Sequence, residues 1–124
     1  MPAIIINDGK QKGLFLPLGS RPAVLGRDPS ISLQIDDQLA SRRHVQVRLD
    51  EASNAYVLTD MKSSNGTLIN GRPVTGETQL SDNDEITIGS TKLLFTNATP
   101  TDGASAMEVL KTAGERHRST IVRR

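Results

Sequence analysis

Three short stretches of this 124-residue chain carry groups suited to an anion: Leu25-Gly26-Arg27-Asp28, Ser41-Arg42-Arg43-His44 and Lys62-Ser63-Ser64-Asn65-Gly66-Thr67. A phosphate monoester brings about −1.5 to −2 charges and three acceptor oxygens, and it is held by a planar cation, hydroxyls and backbone amides. Arg27 offers the planar fork, Ser41 a hydroxyl and an amide, and Arg42 a second cation. The glycine before Arg27 suggests a backbone bent to aim the guanidinium, although a loop arginine after a turn glycine is the plainer reading. Arg43, Lys62 and Arg72 read first as solvated surface charges.

Other chemistries lack their parts. Ser41, His44 and Asp60 invite comparison with a nucleophilic triad, but residues 41 and 44 have opposite side-chain parity on a strand. No glycine elbow surrounds the serine, and no oxyanion loop is evident. There is no P-loop, and Asp82-Asn83-Asp84-Glu85 lacks the glycine and distant glutamate of a calcium loop. With no cysteine and two separated histidines, neither a disulfide nor a zinc site is available. The expectation is a non-enzyme without cofactor or metal. Aromatic residues at 2% leave almost no stacking platform for single-stranded nucleic acid.

These residues need a scaffold, and the apolar pattern supplies one. Short runs recur with period two: Ala3-Ile4-Ile5-Ile6, Leu14-Phe15-Leu16, Val45 to Leu49, Tyr56-Val57-Leu58, Leu68-Ile69, Ile86 to Ile88 and Leu93-Leu94-Phe95. Polar or glycine-bearing turns separate them, at the spacing of an antiparallel two-sheet β-sandwich of roughly eleven strands. Asn70-Gly71 is the strongest hairpin signal, because both residues tolerate the positive φ of a type I′ turn. No helical period runs among the strands.

The domain is expected to span residues 1–96. Residues 97–124 read as a flexible, mildly basic tail or linker, carrying five Lys or Arg against three Asp or Glu. Met107, Leu110 and Ala113 or Gly114 form a weak stripe compatible with one short helix. The body is left with ten basic and eleven acidic residues, so its basic clusters are local features. The start has no basic n-region, and no window approaches a membrane span, which makes a cytoplasmic location the expectation.

Taken together and in order, Leu25-Gly26-Arg27-Asp28, Ser41-Arg42-Arg43-His44 and Ser64-Asn65-Gly66-Thr67 followed by Asn70-Gly71 resemble the forkhead-associated (FHA) domain family. The resemblance covers about residues 3 to 96. It implies a non-catalytic signalling module that binds phosphothreonine in an extended peptide through loops at one end of the sandwich. On that resemblance Arg27 and Ser41 are the main phosphate contacts, Arg42 an auxiliary one and Ser64 a loop contact, while Asn65 holds the peptide backbone. Gly26, His44, Gly66, Thr67 and Asn70 support the site. Ser64 stands where the family often has threonine, and the missing methyl is expected to loosen the pocket around the phosphothreonine methyl.

The implied partners are a phosphothreonine-bearing protein and a Ser/Thr kinase. Self-binding of a phosphorylated tail, through Thr99 or Thr120, is a further expectation. Two rival readings are a phosphate-independent interaction scaffold and a nucleic-acid contact through Arg116, His117, Arg118, Arg123 and Arg124. The second would show steep salt dependence.

Overall fold

The computed structural model describes residues 1–122, and the side chains of residues 1–114. Eleven strands occur in chain order: β1 Ala3–Ile6, β2 Phe15–Pro17, β3 Ala23–Gly26, β4 Leu33–Gln34, β5 Val45–Asp50, β6 Ala55–Asp60, β7 Thr67–Ile69, β8 Arg72–Pro73, β9 Glu77–Gln79, β10 Glu85–Ile88 and β11 Thr91–Thr96. They form a six-stranded sheet in the order β2-β1-β11-β10-β7-β8 and a five-stranded sheet in the order β4-β3-β5-β6-β9. All pairings are antiparallel except β3 with β4, which is parallel.

Alternation along the strands builds the layer between the sheets. Ile4 and Ile6 of β1, Val45 and Val47 of β5, Ile86 and Ile88 of β10, and Leu93 and Phe95 of β11 share one buried cluster with Leu25, Ile35 and Leu58. Each such side chain removed from water contributes about 1.5–3 kcal/mol. The chain has no disulfide, so this packing carries the sandwich. The β7–β8 hairpin closes through Asn70 and Gly71 at φ 52° and 81°, with Ile69 opposite Arg72, which is the type I′ arrangement the dipeptide predicts.

The carboxy-terminal stretch departs from the expected flexible tail. Residues Gly103–Val122 form one helix, α1, and Ala106, Leu110 and Ala113 are buried with Ile5 and Leu94 in a second cluster, against which Phe15 and Val109 pack. Strand register explains the location. Ile5 lies opposite Leu94 on one side and Phe15 on the other, so Phe15, Ile5 and Leu94 make an apolar row on the outer face of the six-stranded sheet. The α1 helix covers that row.

Its start is a reciprocal cap: Ser105 N–H donates to Asp102 Oδ1 at 2.8 Å, while Asp102 N–H donates to Ser105 Oγ at 3.1 Å. Together these satisfy amides that a bare helix end leaves unpaired. Met107, which the sequence places on the buried stripe, is 43% exposed; the stripe runs instead through Ala106, Leu110 and Ala113. No described helix is long and apolar enough to cross a membrane.

Candidate functional site

The end of β3 and the segment after β4 meet at very close range. Arg27 N–H donates to Ser41 O at 2.9 Å and Asp28 N–H to Arg42 O at 3.2 Å. A Cβ on Gly26 would stand 2.2 Å from Arg42 O and 2.7 Å from Ser41 O. Only glycine lets the two backbones approach this closely, and Arg27 is thereby fixed beside Ser41 and Arg42. The Arg27 guanidinium is itself anchored, with Nε donating to Ala40 O at 3.0 Å. Its two terminal nitrogens have no partner among the described residues.

Ser41 connects this corner to the loop between β6 and β7. Its Oγ accepts from Ser64 N–H at 3.0 Å, and its own N–H donates to His44 Nδ1 at 2.9 Å. His44 is fully buried and faces Gly66 O through Nε2 at 2.8 Å. Because Nδ1 accepts from an amide, the ring proton resides on Nε2 and is donated to Gly66 O. His44 is therefore spent on two backbone groups, and its Nδ1 faces the Ser41 amide instead of the Ser41 hydroxyl. That geometry removes the nucleophilic triad from consideration.

Asp60, at the end of β6, organises the same loop. It accepts from Ser63 Oγ at 2.5 Å, Ser63 N–H at 3.0 Å and Thr67 Oγ1 at 2.7 Å. Burial pushes its carboxyl up, but the hydrogen bonds from Ser63 and Thr67 outweigh this and hold it below its ordinary value. Within the loop, Lys62 and Gly66 adopt positive φ, 58° and 76°. Asn65 is exposed and donates through Nδ2 to Leu39 O at 2.8 Å.

Asp37 ties the β4–β5 segment to the turn between β10 and β11. Its Oδ1 accepts from Leu39 N–H, and its Oδ2 from Ser90 N–H, Ser90 Oγ and Thr91 Oγ1 at 2.7, 2.9 and 2.8 Å. Burial would raise this carboxyl, yet bonds from Leu39, Thr91 and Ser90 hold it at about 2.

Arg27, Ser41, Arg42, Ser64 and Asn65 thus gather at one end of the sandwich with Gly26, His44, Gly66 and Thr67 behind them. Asn70 stands in the β7–β8 turn, bonded to Asp84 Oδ1 and to Glu85 N–H, each at 2.9 Å. It braces the next hairpin and is not bonded to the loop carrying Ser64. Arg42 and Arg43 are exposed and lie close enough to Asp28 to favour its charged form, after the dominant effect of its bonds to Ser30. Asp84 caps Ser81 N–H at 2.8 Å, so the acidic 82–85 turn is held by its own backbone. No group of three or more His, Cys, Asp or Glu is placed to hold a metal among the described residues.

Asp37 and the carbonyls of Leu39 and Ala40 were not apparent from sequence. An aspartate in a polar loop carries no local signature, and every residue type has a carbonyl. Arg123 and Arg124 of the basic tail lie outside the described residues, as do the side chains of Arg116, His117 and Arg118.

The family model for the FHA domain matches residues 23–89, and the chain belongs to that family. Among curated proteins it is similar to the oxoglutarate dehydrogenase inhibitor of Corynebacterium jeikeium, 33% identical over 94 residues, covering 76% of this chain and 63% of the relative. It is also similar to the glycogen accumulation regulator GarA of Mycobacterium tuberculosis, 33% identical over 92 residues, covering 74% and 55%. The chain therefore spans 63% and 55% of the length of these relatives.

Among solved structures, it is similar to an FHA domain from work on phosphothreonine-dependent FHA interactions, with TM-score 0.70, 28% identity, and coverage of 79% of this chain and 97% of that one. The FhaA FHA domain complexed with the intracellular domain of Rv3910 is similar too, with TM-score 0.68, 29% identity, and coverage of 77% and 99%.

Proposed function

We propose that the loop end binds a phosphothreonine within an extended peptide segment and performs no catalysis. The observation that carries this reading is the Arg27 guanidinium, anchored through Nε to Ala40 O at 3.0 Å with its terminal nitrogens unspent beside Ser41. An anchored planar fork is suited to a doubly charged phosphate, because little side-chain freedom remains to be lost on binding. In this reading Arg27 and Ser41 hold the phosphate, Arg42 adds a second cation, and the Ser64 hydroxyl closes the pocket. Asn65 uses its free Oδ1 to accept from the peptide backbone.

The binding unit is residues 1–96, and the module works in the cytoplasm on a partner marked by a Ser/Thr kinase. The naming of its relatives as an inhibitor and a regulator supports a regulatory, non-catalytic role. Self-binding is narrower. Thr99, three residues past β11, reaches only about 10 Å, so its phosphoform would act between molecules. Thr120 lies in α1, which would have to unwind before the residue entered a site built for extended chain.

Titration with one peptide in phosphorylated and unphosphorylated form tests the proposal. Phosphate-dependent binding that Arg27→Ala weakens roughly 100-fold is the expected result. Equal binding of both forms would point to a phosphate-independent scaffold. Binding of an oligonucleotide that falls steeply with salt and is lost on removal of residues 115–124 would point to nucleic acid.

A further inference from the structure

Two asparagines of the chain precede glycine, in Asn65-Gly66 and Asn70-Gly71, and the fold holds them differently. Asn70 is clamped at both ends of its amide: Nδ2 donates to Asp84 Oδ1 and Oδ1 accepts from Glu85 N–H, each at 2.9 Å. Asn65 is exposed and makes one side-chain bond, from Nδ2 to Leu39 O at 2.8 Å. Its Oδ1 has no partner among the described residues, and neither has the Gly66 N–H. The space where a Cβ would stand on Gly66 is open.

An asparagine followed by glycine is open to one covalent reaction. The backbone nitrogen of the glycine loses its proton to solvent and attacks the side-chain amide carbon. A cyclic succinimide closes as Nδ2 takes up a proton and leaves as ammonia. Water then opens the ring at either carbonyl, so that amide plus water becomes carboxylate plus ammonium, with aspartate or β-linked isoaspartate left in the chain. Glycine favours the closure, because without a Cβ it neither shields its nitrogen nor resists the backbone swing that the ring needs. The amide carbon must turn toward that nitrogen, so every hydrogen bond that fixes the side chain has to break first. Asn65 gives up one and Asn70 gives up two.

Asn65 is also where the product has an effect. A carboxylate has no hydrogen to donate to Leu39 O and sets its own oxygens against that carbonyl. Isoaspartate further lengthens the main chain within the loop between β6 and β7. Either product adds a negative charge at the end that is read here as the seat of a dianionic phosphate, and like charges oppose binding. A peptide held through Oδ1 gives Asn65 the second bond that Asn70 already has, so an occupied site is protected while an empty one ages.

We propose that Asn65 is a deamidation site, at which the Gly66 nitrogen of the empty module converts Asn65 to aspartate or isoaspartate and switches the binding loop off. The loss of affinity rests on the phosphothreonine reading above; the conversion itself does not.

The test holds the full chain in warm, mildly alkaline buffer with and without a saturating phosphothreonine peptide. A free peptide containing Ser64-Asn65-Gly66-Thr67 sets the unhindered rate. Peptide mapping by mass spectrometry reads the exchange of amide for acid at every asparagine, and methylation by an isoaspartyl methyltransferase reads the β-linked product. Asn65 is expected to convert about five- to tenfold faster than Asn70, the scale of one further hydrogen bond to break. Bound phosphopeptide should slow Asn65 to about the rate of Asn70 and leave Asn70 unchanged. Phosphopeptide-binding capacity should fall in step with conversion, and Asn65→Asp, shown by circular dichroism to be folded, should bind about tenfold more weakly. Conversion at Asn65 no faster than at Asn70, or none while the free peptide converts, overturns the deamidation site. Conversion at Asn65 that leaves phosphopeptide binding untouched overturns the switch. If the unconverted chain fails to distinguish phosphorylated from unphosphorylated peptide, the phosphothreonine reading falls, and the ratio of the Asn65 and Asn70 rates still decides the conversion.

Discussion

His44 accepts the Ser41 amide through Nδ1 at 2.9 Å and meets Gly66 O through Nε2 at 2.8 Å. One buried ring thus joins the segment carrying Ser41 to the loop carrying Ser64 and Asn65. His44→Ala takes away the partner of the Ser41 amide and of the Gly66 carbonyl and opens a cavity at a fully buried position, costing about 2–4 kcal/mol. Urea denaturation should show that loss. Peptide titration should show weakened binding even under conditions where the variant remains folded. Unchanged affinity in the folded variant would mean that the two loops hold their positions without the ring.

Arg27→Ala removes a charge-assisted contact on the order of 3 kcal/mol, roughly 100-fold in affinity. The fold should persist, because the guanidinium makes one hydrogen bond among the described residues, to Ala40 O. Arg27→Lys keeps the charge but loses the anchored fork, so it is expected to recover only a small part of the binding. Ser41→Ala should weaken binding less than Arg27→Ala. Isothermal titration calorimetry with a phosphothreonine peptide orders the three.

Phosphoserine in place of phosphothreonine should weaken binding by less than about fourfold. One fully buried methylene contributes about 0.8 kcal/mol, and Ser64, being exposed, gives the methyl little to pack against. Ser64→Thr should widen the difference. Matched peptides on the parent and on this variant decide it, and equal affinity for both residues in both proteins would remove the methyl pocket.

Asp37 makes the fold sensitive to acid. Its folded carboxyl titrates near 2 against an ordinary 3.8, so its stabilising contribution is complete above about pH 4 and is lost as pH falls through 2. With solvent screening the effect is on the order of 1–2 kcal/mol. Asp37→Asn should lower stability at pH 7 by about that amount and flatten the loss between pH 4 and 2. Chemical denaturation of both proteins across that range reads the difference.

Leu110 is 5% exposed where α1 covers Ile5 and Leu94. Leu110→Ala should cost about 2–4 kcal/mol of stability while changing phosphopeptide affinity less than twofold, since the covered row is on a sheet face and the site is in end loops. Deleting residues from 103 onward should expose that apolar row and promote association, visible by light scattering.

Strand periodicity, turn chemistry and the cluster of phosphate-suited residues are local properties, and the sequence alone determined them. Val45-x-Val47 alternates because one face of β5 is buried, and Asn70-Gly71 turns because both residues accept positive φ. The runs at Ile4-Ile5-Ile6 and Leu93-Leu94-Phe95, which the sequence marks only as period-two strands, are buried on both faces in the folded chain, and nothing in them says what covers the outer one. The cover is α1, whose stripe of two alanines and a leucine is too weakly apolar to stand out.

Long-range pairing decided the rest. Asp37 finds Ser90 and Thr91 more than fifty residues away, and the carbonyls of Leu39 and Ala40 hold Asn65 and Arg27. A carbonyl is common to every residue, so a contact made through it leaves no trace in residue type, and only the folded chain reveals which one is used.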